Sequence, residues 1–123
     1  MNIECTNRNG QAIALVDGAD EVVVKDAQTA LDLLMAARYE AEADRIAIAK
    51  EFVSDDFFVL SSGLAGEILQ KYVNYQMKLA IYGDFSGYTS KPLHDFIYES
   101  NKGRDFFFVG TREEAIDRLA EAE

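Results

Sequence analysis

Three short apolar runs, RIAIA at 45–49, KLAIYG at 78–83 and DFFFV at 105–109, are separated by stretches whose apolar residues repeat at helical spacing. A strand followed by a helix cannot pair with the next strand through a tight turn. The helical crossover returns the chain to the same end of the sheet, so such strands pair in parallel with helices packed on them. Ahead of this alternation lies IECTNRNGQAIALV, two partly alternating runs around Asn9-Gly10. Both turn residues tolerate positive φ, which a two-residue type I′ hairpin requires. The predicted order is ββ, then α-β-α-β-α-β-α, an α/β fold with a mostly parallel, mixed sheet. Right-handed crossovers place the strand-to-helix loops 50–62, 83–91 and 110–111 along one sheet edge. Ligands and partners of α/β sheets gather at that edge.

Local signals bound the helices. Asp26 can cap a helix over Ala27–Glu42, in which Ala30, Leu33, Leu34 and Ala37 form one apolar stripe. Just before it, EVVV is a short apolar run. Leu64, Ile68, Leu69 and Tyr72 share a helical face, with Glu67, Gln70 and Lys71 outside it. In SKPLHDFIYESNKG, Ser90 is a cap, Pro92 fits the first turn and Gly103 closes the helix. Thr111 and Glu114 have capping-box spacing. Phe106, Phe107 and Phe108 read as a buried central strand. With 123 residues, one proline and no low-complexity stretch, the chain is expected to form one domain over 1–123.

Charge and cysteine content narrow the function classes. A net charge of −10, from 22 acidic and 12 basic residues, repels polyphosphate, so nucleic acid is not an expected partner. No apolar run approaches the ~18 residues of a membrane span, and nothing resembles a signal peptide, so the expected location is the cytoplasm. Cys5 is the only cysteine and reads as a half-buried strand residue in a reducing compartment. A lone histidine and no HExxH or cysteine cluster predict no metal and no cofactor. The expected assembly is a monomer or homodimer with a protein partner.

SSGLAGEILQKY, Ser61–Tyr72, carries the main functional question. In its plainest reading Ser61, Ser62 and Gly63 start a helix, a serine hydroxyl accepting a first-turn N–H for about 1 kcal/mol. The functional reading presents the Ser61 hydroxyl to a phosphate donor or a partner. Gly66, costing up to ~1 kcal/mol inside a helix, suggests a demand for packing or access. Across the same edge, GDFSGYTSKPLHDF displays Asp84, Ser86, Tyr88 and Ser90. It is no P-loop: Lys91 lies four residues past Gly87 and precedes Pro92. His94 has only Asp95 beside it, which points elsewhere on a helix, so a surface or capping role is expected. Glu99, Asn101 and Arg104 read as a polar helix end.

The element order, with SSGLAGEI after the third strand, resembles the STAS domain, the anti-sigma-factor-antagonist fold. Its members carry Asp-Ser-Ser/Thr-Gly-Leu-Gly at this place, and in regulatory members a partner kinase phosphorylates the first serine. That serine corresponds to Ser61, followed by Ser62, Gly63 and Leu64; Leu60 stands where the family has an acid, and Ala65 where it has glycine. DDFFVLSSGLAGEILQKYVNYQMKLAIYGDF and YTSKPLHDFIYESNKGRDFFFV resemble a bacterial family, domain of unknown function 4180. Together these resemblances imply a STAS-like fold and a non-enzymatic, cytoplasmic, regulatory or protein-interaction module. Its surface would be Ser61, Ser62, Gly63 and the Gly83–Ser90 loop, switched by phosphorylation. The alternative is a small-molecule-binding domain or weak enzyme using Asp84, Ser86 and Tyr88 in a pocket.

Overall fold

The computed structural model describes residues 1–123. Strands β1 (Asn2–Arg8) and β2 (Gln11–Asp17) form the hairpin. Asn9 and Gly10 turn it with φ of 55° and 79°, the positive values that a type I′ turn demands. Then follow α1 (Ala27–Ala41), β3 (Arg45–Ala49), α2 (Leu64–Asn74), β4 (Lys78–Tyr82), α3 (Lys91–Lys102), β5 (Phe106–Val109) and α4 (Arg112–Glu121). The sheet runs β1-β2-β3-β4-β5, antiparallel at the hairpin and parallel from β2 onward. The protein is an α/β fold with a mostly parallel, mixed sheet, as its alternation of patterns predicts.

Strand periodicity divides the interior into two cores. Ala14, Val16, Ile46, Ile48, Leu79, Ile81 and Phe108 face the larger one, where Leu33 and Leu34 of α1, Ile68 and Tyr72 of α2 and Leu93 of α3 cover them. Ile13, Ala47, Ala80 and Phe107 point the other way and meet Ala115, Ile116, Leu119 and Ala120 of α4. Ala47 and Ala80 are register neighbours, so the sheet presents a shallow floor there and α4 can lie close against it. Each fully buried Leu, Ile or Phe contributes about 1.5–3 kcal/mol of transfer free energy, and the three-helix face holds more of them. Buried Arg45 anchors the far end of α4 by donating to the carbonyls of Leu119 and Ala122. That cation also complements the helix's negative end.

The structure departs from the sequence reading at four points. The Phe106–Phe108 run forms β5, an edge strand rather than a central one. Phe107 and Phe108 are nevertheless buried, because α4 and α3 cover the two faces of that edge. Cys5 is exposed, on β1 at the opposite edge of the sheet. At α4, Thr111 accepts the Glu114 N–H at 3.1 Å, but its hydroxyl, rather than its backbone N–H, donates to the Glu114 carboxylate at 3.3 Å. The reciprocal box occurs instead at α1, where Asp26 accepts the Thr29 N–H at 2.8 Å and Thr29 accepts the Asp26 N–H at 3.0 Å. Finally, residues 50–62 are built rather than loose: Lys50–Phe52, Asp55–Phe58 and Leu60–Ser62 are short 3₁₀ turns. Val24 of the EVVV run forms a bridge to Val53 that ties this segment down, with Ser54 donating to the Val24 carbonyl at 2.8 Å.

Candidate functional site

Because β3 and β4 are parallel neighbours, the segments leaving their carboxyl ends run side by side. Between them lies a groove of about 460 Å³, one wall made by Phe58–Ser61 and the other by Gly87–Ser90 with Pro92 and Leu93 of α3. Its floor is held by aromatic packing. Phe58, buried, sits edge-on to Phe57 at 5.1 Å and stacks on Tyr88 at 5.2 Å. Phe85 lies 5.8 Å from Phe58 and 6.0 Å from Phe108, so the groove is continuous with the core. Lys50 places its ammonium 5.0 Å above the Tyr88 ring, which favours a defined ring position. On the rim, Val59 keeps 51% of its surface exposed, an apolar side chain left uncovered by the fold.

The two serines have separate roles. Ser62 donates to the Asp56 carbonyl at 2.7 Å and accepts the Leu64 N–H at 3.2 Å, pinning the turn before α2. Ser61 is exposed, lines the groove and makes no hydrogen bond within the chain. Neither serine is the cap that the sequence suggested: the bond that helps start the helix comes from Ser62, one residue before the N-cap, and Ser61 lies in the 3₁₀ turn Leu60–Ser62 with its hydroxyl free. Gly63 is the N-cap residue, at φ 79°, a left-handed conformation that suits glycine. A Cβ on Gly66 would meet nothing within 4 Å, so the packing demand read from that glycine is absent and the surface there is simply open.

Of the loop residues, Tyr88 and Ser90 join Ser61 in the groove, while Asp84 and Ser86 do not. Asp84 accepts the Ser86 N–H at 2.8 Å, and the Ser86 side chain and N–H hold its carboxyl below the ordinary carboxylate range. Asp84 instead borders a shallower concavity with Lys50, Glu51 and Tyr82. Ser90 caps α3 by accepting the Leu93 N–H at 3.4 Å. A ring nitrogen of His94 meets the Tyr88 carbonyl at 2.5 Å, so the lone histidine braces the groove wall. Sequence reasoning missed Lys50, Phe58 and Val59. Only the pairing of β3 with β4 brings them to the Tyr88 loop, although the apolar pair Val59-Leu60 just ahead of two serines was a visible signal. A further concavity of about 340 Å³ lies at the same edge on the α4 side, lined by Tyr82, Arg112, Glu51 and Asp17 among others. Burial raises the Tyr82 hydroxyl there above its ordinary range, Arg112 partly opposing the shift.

Fold and groove together define an open-sheet α/β domain with a mainly apolar, hydroxyl-rimmed cleft at the carboxyl ends of two parallel strands. The chain belongs to the family described as Domain of unknown function (DUF4180), whose model matches residues 8–119. No curated protein and no solved structure matches it. No helix is long and apolar enough to cross a membrane.

Proposed function

We propose that residues 1–123 form one STAS-like, non-enzymatic regulatory module of a bacterial cytoplasm, which binds a partner protein in the Ser61–Tyr88 groove. The observation that carries this reading is the juxtaposition of an exposed, unbonded Ser61 hydroxyl with the uncovered Val59 on a rigid aromatic floor. An apolar anchor side chain from the partner would fill the groove, as buried anchors do at protein interfaces. Exposed Asp55 and Asp56 flank it, and the chain carries −10, so the partner segment would be basic around its anchor. Phosphorylation of Ser61 would add about −2 charge at the rim and alter that match without touching the core. Neutral Leu60 precedes the serine, so the orienting carboxylate of the STAS motif would have to come from the kinase.

A single comparison tests the reading. Affinity capture with wild type and Val59→Asp, followed by mass spectrometry, should retain a basic partner on wild type alone. Equal retention by both proteins overturns the groove as the binding surface. A second reading, a small-molecule site, is favoured by the groove volume of about 460 Å³, which falls in the range of ligand pockets. A small molecule found by native mass spectrometry in wild type and absent from Val59→Asp would select it. Asp84 and Ser86, bonded to one another, would then lie outside the pocket that the alternative assigned to them.

A further inference from the structure

A single helix, α4, covers one face of the sheet, while α1, α2 and α3 cover the other. A helix about 10 Å wide spans only two or three strands spaced about 4.8 Å apart, so part of the α4 face stays open. The opening is the concavity of about 340 Å³ beside Tyr82 and Arg112, where α4 begins. Strand register makes it. Ala47 and Ala80 lie under α4, and in the next row on that face Ala49 pairs with Tyr82. Asp17 follows Val16, the register partner of Ile48, which sets it beside Ala49. The short Ala49 side chain leaves a dip between Asp17 and the Tyr82 ring, and half-buried Leu15 and Phe52 add apolar surface to it. The charged groups around the dip are not paired with one another. Arg112 enters none of the chain's ion pairs, although Glu4, Asp17 and Glu51 line the same concavity. It stands in the first turn of α4, where a cation opposes the helix dipole, so its place does not serve the helix. Asp17 gives one oxygen to the Ala19 N–H at 2.9 Å and keeps the other free.

We propose that this concavity binds a free basic α-amino acid, of the lysine or arginine type. One guanidinium set against three carboxylates calls for a ligand with one anionic and more than one cationic group. Glu4 on β1 and Tyr82 on β4 mark its two ends, three strand spacings or about 14 Å apart at the backbone. The carboxylates along that length form no group able to hold a metal ion, and suit an extended molecule instead. A basic amino acid matches each part. Its carboxylate pairs with Arg112 and accepts from the Tyr82 hydroxyl, which burial keeps protonated. Its α-ammonium meets Glu51, its methylene stem lies over Ala49 and Leu15, and its side-chain cation reaches Asp17 and Glu4. A diamine would leave Arg112 facing a like charge, and a neutral amino acid would leave the β1 end unpaired. The volume falls in the range of small-ligand sites. The concavity shares no residue with the Ser61–Tyr88 groove.

Isothermal titration calorimetry of the full chain with L-lysine and L-arginine, in low salt so that the charges are not screened, tests the site. Each should bind as one molecule per chain. Cadaverine, which lacks the carboxylate, and L-norleucine, which lacks the side-chain cation, should bind about tenfold more weakly or worse. Nα-acetyl-L-lysine, which stands for the carboxyl end of a peptide, should be weakened to a similar degree. Arg112→Ala and Glu51→Gln should each lose about tenfold in affinity for L-lysine, the loss expected of one charge-assisted hydrogen bond. Both variants should keep the Tm of wild type, because the two side chains are exposed and unpaired. No saturation by L-lysine or L-arginine up to ~10 mM, well beyond the range of weak specific ligands, overturns the proposal. Affinity that survives both substitutions overturns the site, since the ligand would then bind elsewhere. Cadaverine binding as tightly as L-lysine would leave Arg112 without a role, and equal binding of Nα-acetyl-L-lysine overturns the free amino acid as the occupant.

Discussion

Ser61 and Ser62 are chemically identical neighbours, yet the geometry predicts different consequences for removing each hydroxyl. Ser62→Ala loses an acceptor for the Leu64 N–H and a donor to the Asp56 carbonyl, at 3.2 and 2.7 Å. Losing the bond to the Leu64 N–H costs about 1 kcal/mol, as an ordinary hydrogen bond does. The bond to Asp56 adds ~0.5 kcal/mol, the low end for a hydrogen bond, because both groups sit at the surface and regain water. The sum of roughly 1.5 kcal/mol corresponds to a Tm lower by about 6 °C in a domain of this size. Ser61→Ala removes a hydroxyl without an internal partner and should change stability by less than ~0.5 kcal/mol. Ser61→Glu should likewise stay within about 2 °C of wild type, since the new charge remains in water and lies near the positive end of α2. Urea and thermal unfolding of the three variants, followed by circular dichroism, provide the comparison. A Ser61→Ala loss equal to that of Ser62→Ala would refute the assignment of the two bonds to Ser62 alone. A collapse of Ser61→Glu would show that the position is closed to a phosphate.

Other consequences can be measured on the same instruments. Tyr72, 1% exposed, donates to the Ala30 carbonyl at 2.7 Å, so Tyr72→Phe should cost about 1 kcal/mol in urea titrations. Burial raises the Tyr72 hydroxyl well above its ordinary value near 10, so the unfolded chain loses that proton first as pH rises. Stability tied to Tyr72 is therefore present below pH ~10 and falls above it, and the alkaline limb of Tm against pH should be shallower in Tyr72→Phe. Gly83 has φ 154° and a Cβ there would lie 2.9 Å from the Lys50 Cβ, so Gly83→Ala should lose roughly 1–3 kcal/mol. Asn101→Leu removes both side-chain bonds to the Phe108 backbone that finish the β5 edge and should cost about 2 kcal/mol while raising the rate of aggregation seen by light scattering. Unchanged aggregation would mean that α3 shields that edge without help from Asn101.

Element types and order were legible because they rest on local physics. The Asn9-Gly10 turn, the apolar runs of β3 to β5, the α1 stripe, and the caps at Asp26, Ser90 and Thr111 each depend on residues a few positions apart. Their handed connections also sufficed to bring the loops after β3 and β4 to one edge. What the sequence could not contain was strand order, because pairing partners lie tens of residues apart and periodicity does not rank them. That order made β5 an edge despite its three phenylalanines and put β1 at the other edge with Cys5 exposed. The site divides in the same way. Ser61 and the Gly83–Ser90 loop were readable as chemistry on adjacent loops. Which hydroxyl is free, and that Asp84 turns to Ser86 while Val59 and Phe58 complete the groove, followed only from the 3₁₀ turns and aromatic packing between β3 and β4. Those turns form because Val53, Phe57 and Phe58 must reach a core supplied by distant segments, and tertiary burial outweighs any local preference of the chain.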